Sequence, residues 1–172
     1  MHSATAWTPT RFVRWRSGCM GLLRYCCWVG TLSGAPPRVN LTVIGLPVWS
    51  ATTAGRVSLV VQNVGRKDLV IGISFRRGLR QTVEGLQTAK RNGAFTLAIT
   101  DTFVSPLARA ADECIIASVE TPSFGASYVA PMALIDAIVV AVGNLKPRRI
   151  MSLIKQADEE RQRGFRWYQA EF

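Results

Sequence analysis

The clearest rhythm along the chain begins at Asp68. DLVIGISF (68–75) is an unbroken apolar run closed by a serine and an aromatic residue, the pattern of a parallel strand covered on both faces rather than a half-exposed one. In RQTVEGLQTAKRN (80–92) the period changes: Val83, Leu86 and Ala89 recur at helical spacing, and Gly93 is placed to stop the helix. FTLAITD (95–101) predicts the next strand. SPLARAAD (105–112) predicts a short helix with Ser105 as N-cap and Pro106 at its first position, and ECIIASVE (113–120) a further strand. Strand, helix, strand, short helix, strand predicts an α/β fold: a doubly wound parallel sheet in a three-layer αβα sandwich.

The flanks are less regular. VNLTVIG (39–45) is short and β-branched, which predicts a buried strand, whereas the following LPVWSATTAGR has no clear period. SYVAPMALIDAIVVAVGNL (127–145) approaches the length of a membrane span, but Pro131 and Asp136 lie inside it, so it is read as a core or subunit-interface helix and no membrane partner is expected. RRIMSLIKQADEERQRGFRWYQAEF (148–172) puts Ile150, Leu153, Ile154 and Ala157 on one face, an amphipathic terminal helix that frays near Gly164.

Composition divides the chain in two. With 172 residues, 48% apolar and 19% charged, one domain with a substantial core is expected. A net charge of +10 ordinarily points to a polyanionic partner, but the excess sits at the front. Eight Lys/Arg and no acid precede Asp68, while thirteen basic and eleven acidic residues follow from there on. The same front segment holds four of the five Trp and three of the four Cys. Its arginines are too dispersed for a nucleic-acid arm, and Arg24 interrupts the apolar core a signal peptide needs. The preferred reading is that residues 1–38 form an atypical basic segment that is not native-like, from a misassigned start or an off-frame stretch. The main domain is then 39–146, with a helix and tail over 147–172. No C-x-x-C pair occurs and His2 is the sole histidine, so neither a metal site nor a cofactor is expected. Cys114 inside an apolar run fits a reducing, cytoplasmic setting.

In an open parallel sheet, ligands bind beyond the carboxyl ends of the strands. The loops 74–79, 101–104 and 120–126 therefore converge on one edge. The first of them, SFRRGL, enters a helix N-terminus with unpaired N–H groups, a close-approach glycine at Gly78, and hydroxyls at Ser74 and Thr82. A phosphate suits such a turn.

The segment from Lys67 to about Gly143 resembles the sugar isomerase (SIS) domain, in the form found at the C-terminus of RpiR-type transcriptional regulators. In that family the loop after the DLVIGISF-like strand runs Ser-x-Ser-Gly-x-Thr-x-x-Thr and holds the phosphate of a phosphosugar. Here Ser74 and Thr82 match, Arg76 and Arg77 stand for the second Ser and the Gly, Gly78 is displaced by one, and Leu79 replaces the Thr. A guanidinium can take over from a hydroxyl by charge-assisted pairing. TDTFVSPLARAAD and ETPSFGASYVAPMALI resemble the family's later loops and its dimer-forming helix. The family's opening strand with a Gly-x-Gly-x-Ser turn, and the regulators' helix-turn-helix domain, are not found in residues 1–38, so the N-terminal part is read as truncated or irregular.

The resemblance implies a non-catalytic domain that binds a phosphorylated sugar or amino sugar. Ser74, Arg76, Arg77, Gly78, Arg80 and Thr82 would hold the phosphate, and Glu120 and Ser123 would meet sugar hydroxyls. It also implies a homodimer or homotetramer, with no DNA binding by this chain alone. Two alternatives stand beside it. One is an aldose–ketose phosphosugar isomerase using Glu120 as base, or Glu84, read as lying in the first turn of its helix where a carboxylate complements the dipole. The other is an oligomerisation module whose ligand site has decayed.

Overall fold

The computed structural model describes residues 26–30, 42, 46–144 and 147–163. Five parallel strands form one sheet: β1 (Cys26–Gly30), β2 (Val48–Ala51), β3 (Leu69–Ile73), β4 (Phe95–Thr100) and β5 (Glu113–Ile116), in the order β2-β1-β3-β4-β5. Among the described residues they are accompanied by the helices α1 (Ala54–Val61), α2 (Arg80–Arg91), α3 (Pro106–Ala110), α4 (Val129–Gly143) and α5 (Pro147–Arg163).

The two faces of the sheet follow from the handedness of its crossovers. Right-handed connections from β2 to β3, β3 to β4 and β4 to β5 all travel the same way across the sheet, so they must place α1, α2 and α3 on one face. The core has this arrangement. Val57 and Val61 of α1, Leu86 and Ala89 of α2, and Leu107 and Ala110 of α3 pack with Val70 and Ala98 of the sheet. On the opposite face Ile135 and Ile138 of α4 close over Leu69, Ile71, Ile73, Leu97, Ile99 and Ile115. Every residue of β3 is buried, which explains its unbroken apolar run. The three-layer doubly wound fold expected from the sequence is the one observed.

Gly72 sits where the α2–α3 layer comes closest to the sheet. A Cβ there would lie 3.2 Å from side-chain carbons of both Leu86 and Leu107, so its missing side chain is what lets the two leucines close down. The turn from α3 into β5 is fixed by Asp112. Its Oδ2 accepts from the Thr96 N–H (2.9 Å) and the Thr96 hydroxyl (2.7 Å), and its Oδ1 pairs with Lys90 Nζ at 2.9 Å. Burial alone would raise this carboxyl group, but the Thr96 and Lys90 hydrogen bonds and the Lys90 charge outweigh it and hold it below its ordinary value. Ser105 caps α3 as expected, its hydroxyl accepting from the Ala108 N–H at 3.1 Å.

Two expectations need revision and a third falls almost wholly outside the described residues. The strand expected at 39–45 lies outside the described residues except for Thr42, which is helical. The stretch without a period, 46–56, instead supplies β2 and the start of α1. The boundary drawn at residue 38 does not separate the front segment from the sheet either, because Cys26–Gly30 pairs with β2 on one side and β3 on the other. Residues 1–25 and 31–38 lie outside the described residues. The apolar segment near 127–145 is a helix of 15 residues, and among the described residues no helix is long and apolar enough to cross a membrane.

Candidate functional site

The sheet order places the reversal of strand direction of travel between β1 and β3: the chain moves outward from β1 to β2, then returns past β1 to continue at β3. At such a switch point neighbouring loops diverge to opposite faces and leave a crevice at the carboxyl edge. The loop Ser74–Leu79 leaves β3 at that point.

Its conformation is held by three named contacts. The buried Ser74 continues the sheet through its N–H to Ile99 O (3.2 Å), and its Oγ accepts from the Leu79 N–H at 3.0 Å, closing the loop on itself. Arg76 has a left-handed backbone, φ +62, a conformation that costs a residue with a side chain free energy. Asp101, at the end of β4, offsets that cost by accepting the Arg76 N–H on Oδ2 at 2.9 Å, and the Thr100 hydroxyl donates to its other oxygen at 3.2 Å. Gly78, with φ +66, completes the turn where only glycine is unstrained. The chain then enters α2 with Leu79 as an N-cap lacking a side-chain bond.

The Arg76 guanidinium reaches across the edge. Its Nη2 donates to the carbonyl of Gly125 at 3.3 Å, which ties the loop after β3 to the loop after β5. The next contact along is an edge-to-face pair, Phe75 with Tyr128, with ring centroids 5.9 Å apart. Tyr128 is the residue that opens α4. Between the two loops lies an open cleft of about 580 Å³ lined by Arg76, Glu120, Thr121, Pro122, Ser123, Phe124 and Gly125.

Of the residues singled out from the sequence, Arg76, Glu120 and Ser123 therefore share one cleft. Ser74 and Thr82 do not line it. Thr82 is fully buried beneath the loop, and its Oγ1 has no hydrogen-bond partner among the described residues. Arg77 and Arg80 are exposed, and Arg80 stands 3.9 Å from Glu84 in a solvent-exposed pair that contributes little to stability. Glu84 lies beyond the first turn of α2, which has no acidic residue, so the dipole-complementing position assigned to it is not the one it occupies. Positive charge from Arg76, Arg77 and Arg80 thus gathers at the positive end of an α2 that carries no countering acid in its first turn. Asp101 was missed from the sequence because its role depends on a contact 25 residues away. The Thr-Asp pair at a strand's carboxyl end was the one available signal.

A parallel α/β sheet with its switch point between β1 and β3 defines a domain of the doubly wound class. Residues 39–141 match the SIS domain family, and the chain belongs to that family. It is 33% identical over 101 residues to an uncharacterized HTH-type transcriptional regulator of Caldanaerobacter subterraneus, covering 56% of this chain and 36% of the regulator. The chain thus spans little more than a third of that relative's length. Its fold is similar to the sugar isomerase domain of the RpiR transcription factor from Sphaerobacter thermophilus, with a TM-score of 0.74 and 26% identity over 88% of this chain and 87% of that one. It is also similar to the NanR protein of Vibrio vulnificus complexed with ManNAc-6P, with a TM-score of 0.72 and 18% identity over 87% of this chain and 58% of that one.

Proposed function

We propose that this domain is the phosphosugar-sensing part of an RpiR-type regulator and that Arg76 is its principal phosphate ligand. The observation that carries the reading is the position of Arg76. It sits on the anion-favouring loop at the switch point, is held in a strained backbone conformation by Asp101, and presents its guanidinium to a cleft that also contains Glu120 and Ser123. Backbone strain maintained by dedicated contacts is a common mark of a functional residue. Ser74 and Thr82 shape the loop from below, Gly78 turns it, and Arg77 and Arg80 raise the local positive potential. Glu120 and Ser123 accept and donate to sugar hydroxyls.

The relatives support the class of ligand: the NanR structure is a complex with ManNAc-6P, and the RpiR structure is that of a sugar isomerase domain. The reading assigns binding rather than turnover, since Glu120, the base in the isomerase alternative, is exposed at the cleft rim. Self-association belongs to the same reading. Val129, Ala133, Ala137 and Val140 are exposed on α4 around Asp136, the face proposed to meet a second copy.

The test is a thermal-shift and calorimetric panel of hexose and amino-sugar phosphates beside their unphosphorylated counterparts. Phosphorylated sugars should raise the melting temperature and the counterparts should not. Arg76→Ala should weaken binding by roughly tenfold to a hundredfold, the loss expected for a charge-assisted hydrogen bond. A well-folded preparation that binds no phosphosugar at millimolar concentration would remove the sensing reading and leave the decayed module.

A further inference from the structure

Phe124 is a large apolar residue of the cleft that the core does not enclose. It lies between Ser123 and Gly125 in the loop after β5, its relative exposure is 109%, and it lines the same cleft as Arg76 and Glu120. An aromatic ring held wholly in water gains nothing from the core. The loop that carries it is nonetheless anchored at both sides: Arg76 Nη2 donates to the carbonyl of Gly125, the very next residue, at 3.3 Å, and the Ser127 N–H donates to Val119 O at 3.0 Å.

The cleft therefore offers three kinds of contact within one short span. Arg76 supplies a cation, Glu120 and Ser123 supply hydrogen-bonding groups, and Phe124 supplies a flat apolar face. A phosphorylated sugar in its ring form presents the matching three: a dianion, hydroxyl groups, and a face of C–H bonds that is apolar and flat enough to lie on an aromatic ring. An open-chain polyol phosphate presents only the first two. We infer that Phe124 is the specificity-determining residue of the site, stacking on the C–H face of a cyclic sugar phosphate and selecting it over the open-chain form. This inference rests on the phosphosugar reading above and adds the form of the sugar to it.

The test compares glucose 6-phosphate with sorbitol 6-phosphate, which keeps the phosphate and the six-carbon chain but cannot close a ring. N-acetylmannosamine 6-phosphate serves as a second cyclic probe. Calorimetry on the full chain should show that Phe124→Ala weakens the cyclic phosphates by about fivefold to tenfold, the effect of uncovering a few tens of Å² of apolar surface. Sorbitol 6-phosphate should weaken by less than about twofold, because the ring face is absent from it. Phe124→Trp should restore the preference for the ring. Because Phe124 is fully exposed, its variants should melt within about 1 °C of the parent, as surface substitutions do.

Each outcome decides. Equal weakening of cyclic and open-chain probes overturns the inference while leaving phosphate binding in place, and so does an unchanged affinity for all three. A change in sedimentation coefficient without a change in sugar affinity assigns Phe124 to a contact with a second copy and also overturns it. If the parent protein binds none of the probes, the phosphosugar reading falls, and this inference falls with it.

Discussion

Arg76 is asked to do two things that pull in opposite directions, and replacing it by glycine and by alanine separates them. Its backbone has φ +62, which costs a residue with a Cβ about 1–2 kcal/mol relative to the right-handed region. Glycine escapes that cost but gains about 0.4–1 kcal/mol of freedom in the unfolded chain. The difference leaves Arg76→Gly about 0.5–1 kcal/mol more stable than Arg76→Ala. For a chain of this size that is about 1–4 °C in melting temperature. Both variants lose the bond from the guanidinium to Gly125 O, so that contact cancels in the comparison.

Binding should move the other way. Neither variant has a guanidinium, so both should lose the roughly tenfold to hundredfold expected for a charge-assisted contact, and the more stable glycine variant should bind no better than the alanine one. Differential scanning calorimetry and titration of a hexose 6-phosphate on the three proteins supply both numbers. If Arg76→Gly melts below Arg76→Ala, the loop is not held in the left-handed conformation in solution. If either variant binds like the parent, the phosphate is held elsewhere and the assignment of Arg76 is wrong.

Gly72→Ala introduces a Cβ 3.2 Å from Leu86 and Leu107 side-chain carbons; overpacking of this kind costs about 1–3 kcal/mol, and an unchanged urea midpoint would refute the tight approach. Cys114 is pushed up to about 11 from 9.0, first by burial and then by the charge of Glu113, so at pH 8 the folded protein should alkylate there about a hundredfold more slowly than the urea-unfolded chain, read by peptide mass spectrometry. The sign for stability follows: the neutral thiol is favoured in the folded state, so this contribution is complete below pH 9 and is lost as pH rises towards 11. Ala137→Arg on the exposed face of α4 should yield a species of lower mass or poor solubility by light scattering, and a variant of normal solubility and unchanged mass counts against α4 as the self-association face.

The strands and helices from Asp68 to Ala117 were legible because each is specified locally. β3 is buried at every position, α3 carries its own cap and proline, and Gly93 stops α2 with φ +87. β2 was not legible. Four residues long, at the edge of the sheet, with Trp49 54% exposed, it has too few buried positions to set a pattern. β1 escaped for a different reason: its place is fixed by partners far along the chain, Val48–Ala51 on one side and Leu69–Ile73 on the other. A five-residue segment amid arginine, tryptophan and cysteine carries no local sign of that. The same holds for the site. The sequence pointed to the arginine loop and to Gly78 as its close-approach residue, yet the unusual backbone that aims Arg76 is held by Asp101, which follows another strand.

That arrangement also sets the energetics of capture. The Arg76 guanidinium is engaged with the Gly125 carbonyl, so under the proposed function a phosphate must compete for it. The existing bond is long, at 3.3 Å, and exposed. Its acceptor is neutral, and such bonds to a charged donor contribute at the low end of their range, whereas pairing with a dianion adds charge on both sides. The exchange therefore favours the phosphate even after the carbonyl is returned to water, which hydrates it readily at an exposed site. What the exchange releases is the tie between the loops after β3 and β5. Another link between them is the Phe75–Tyr128 ring contact at the entrance to α4, so the proposed phosphate capture at Arg76 and the placement of α4 would act on adjacent residues. Under the proposed function, a ligand that only filled the cleft without drawing on the guanidinium would leave that tie intact, which is the physical reason for an arginine, rather than a hydroxyl, to suit a domain proposed to report occupancy.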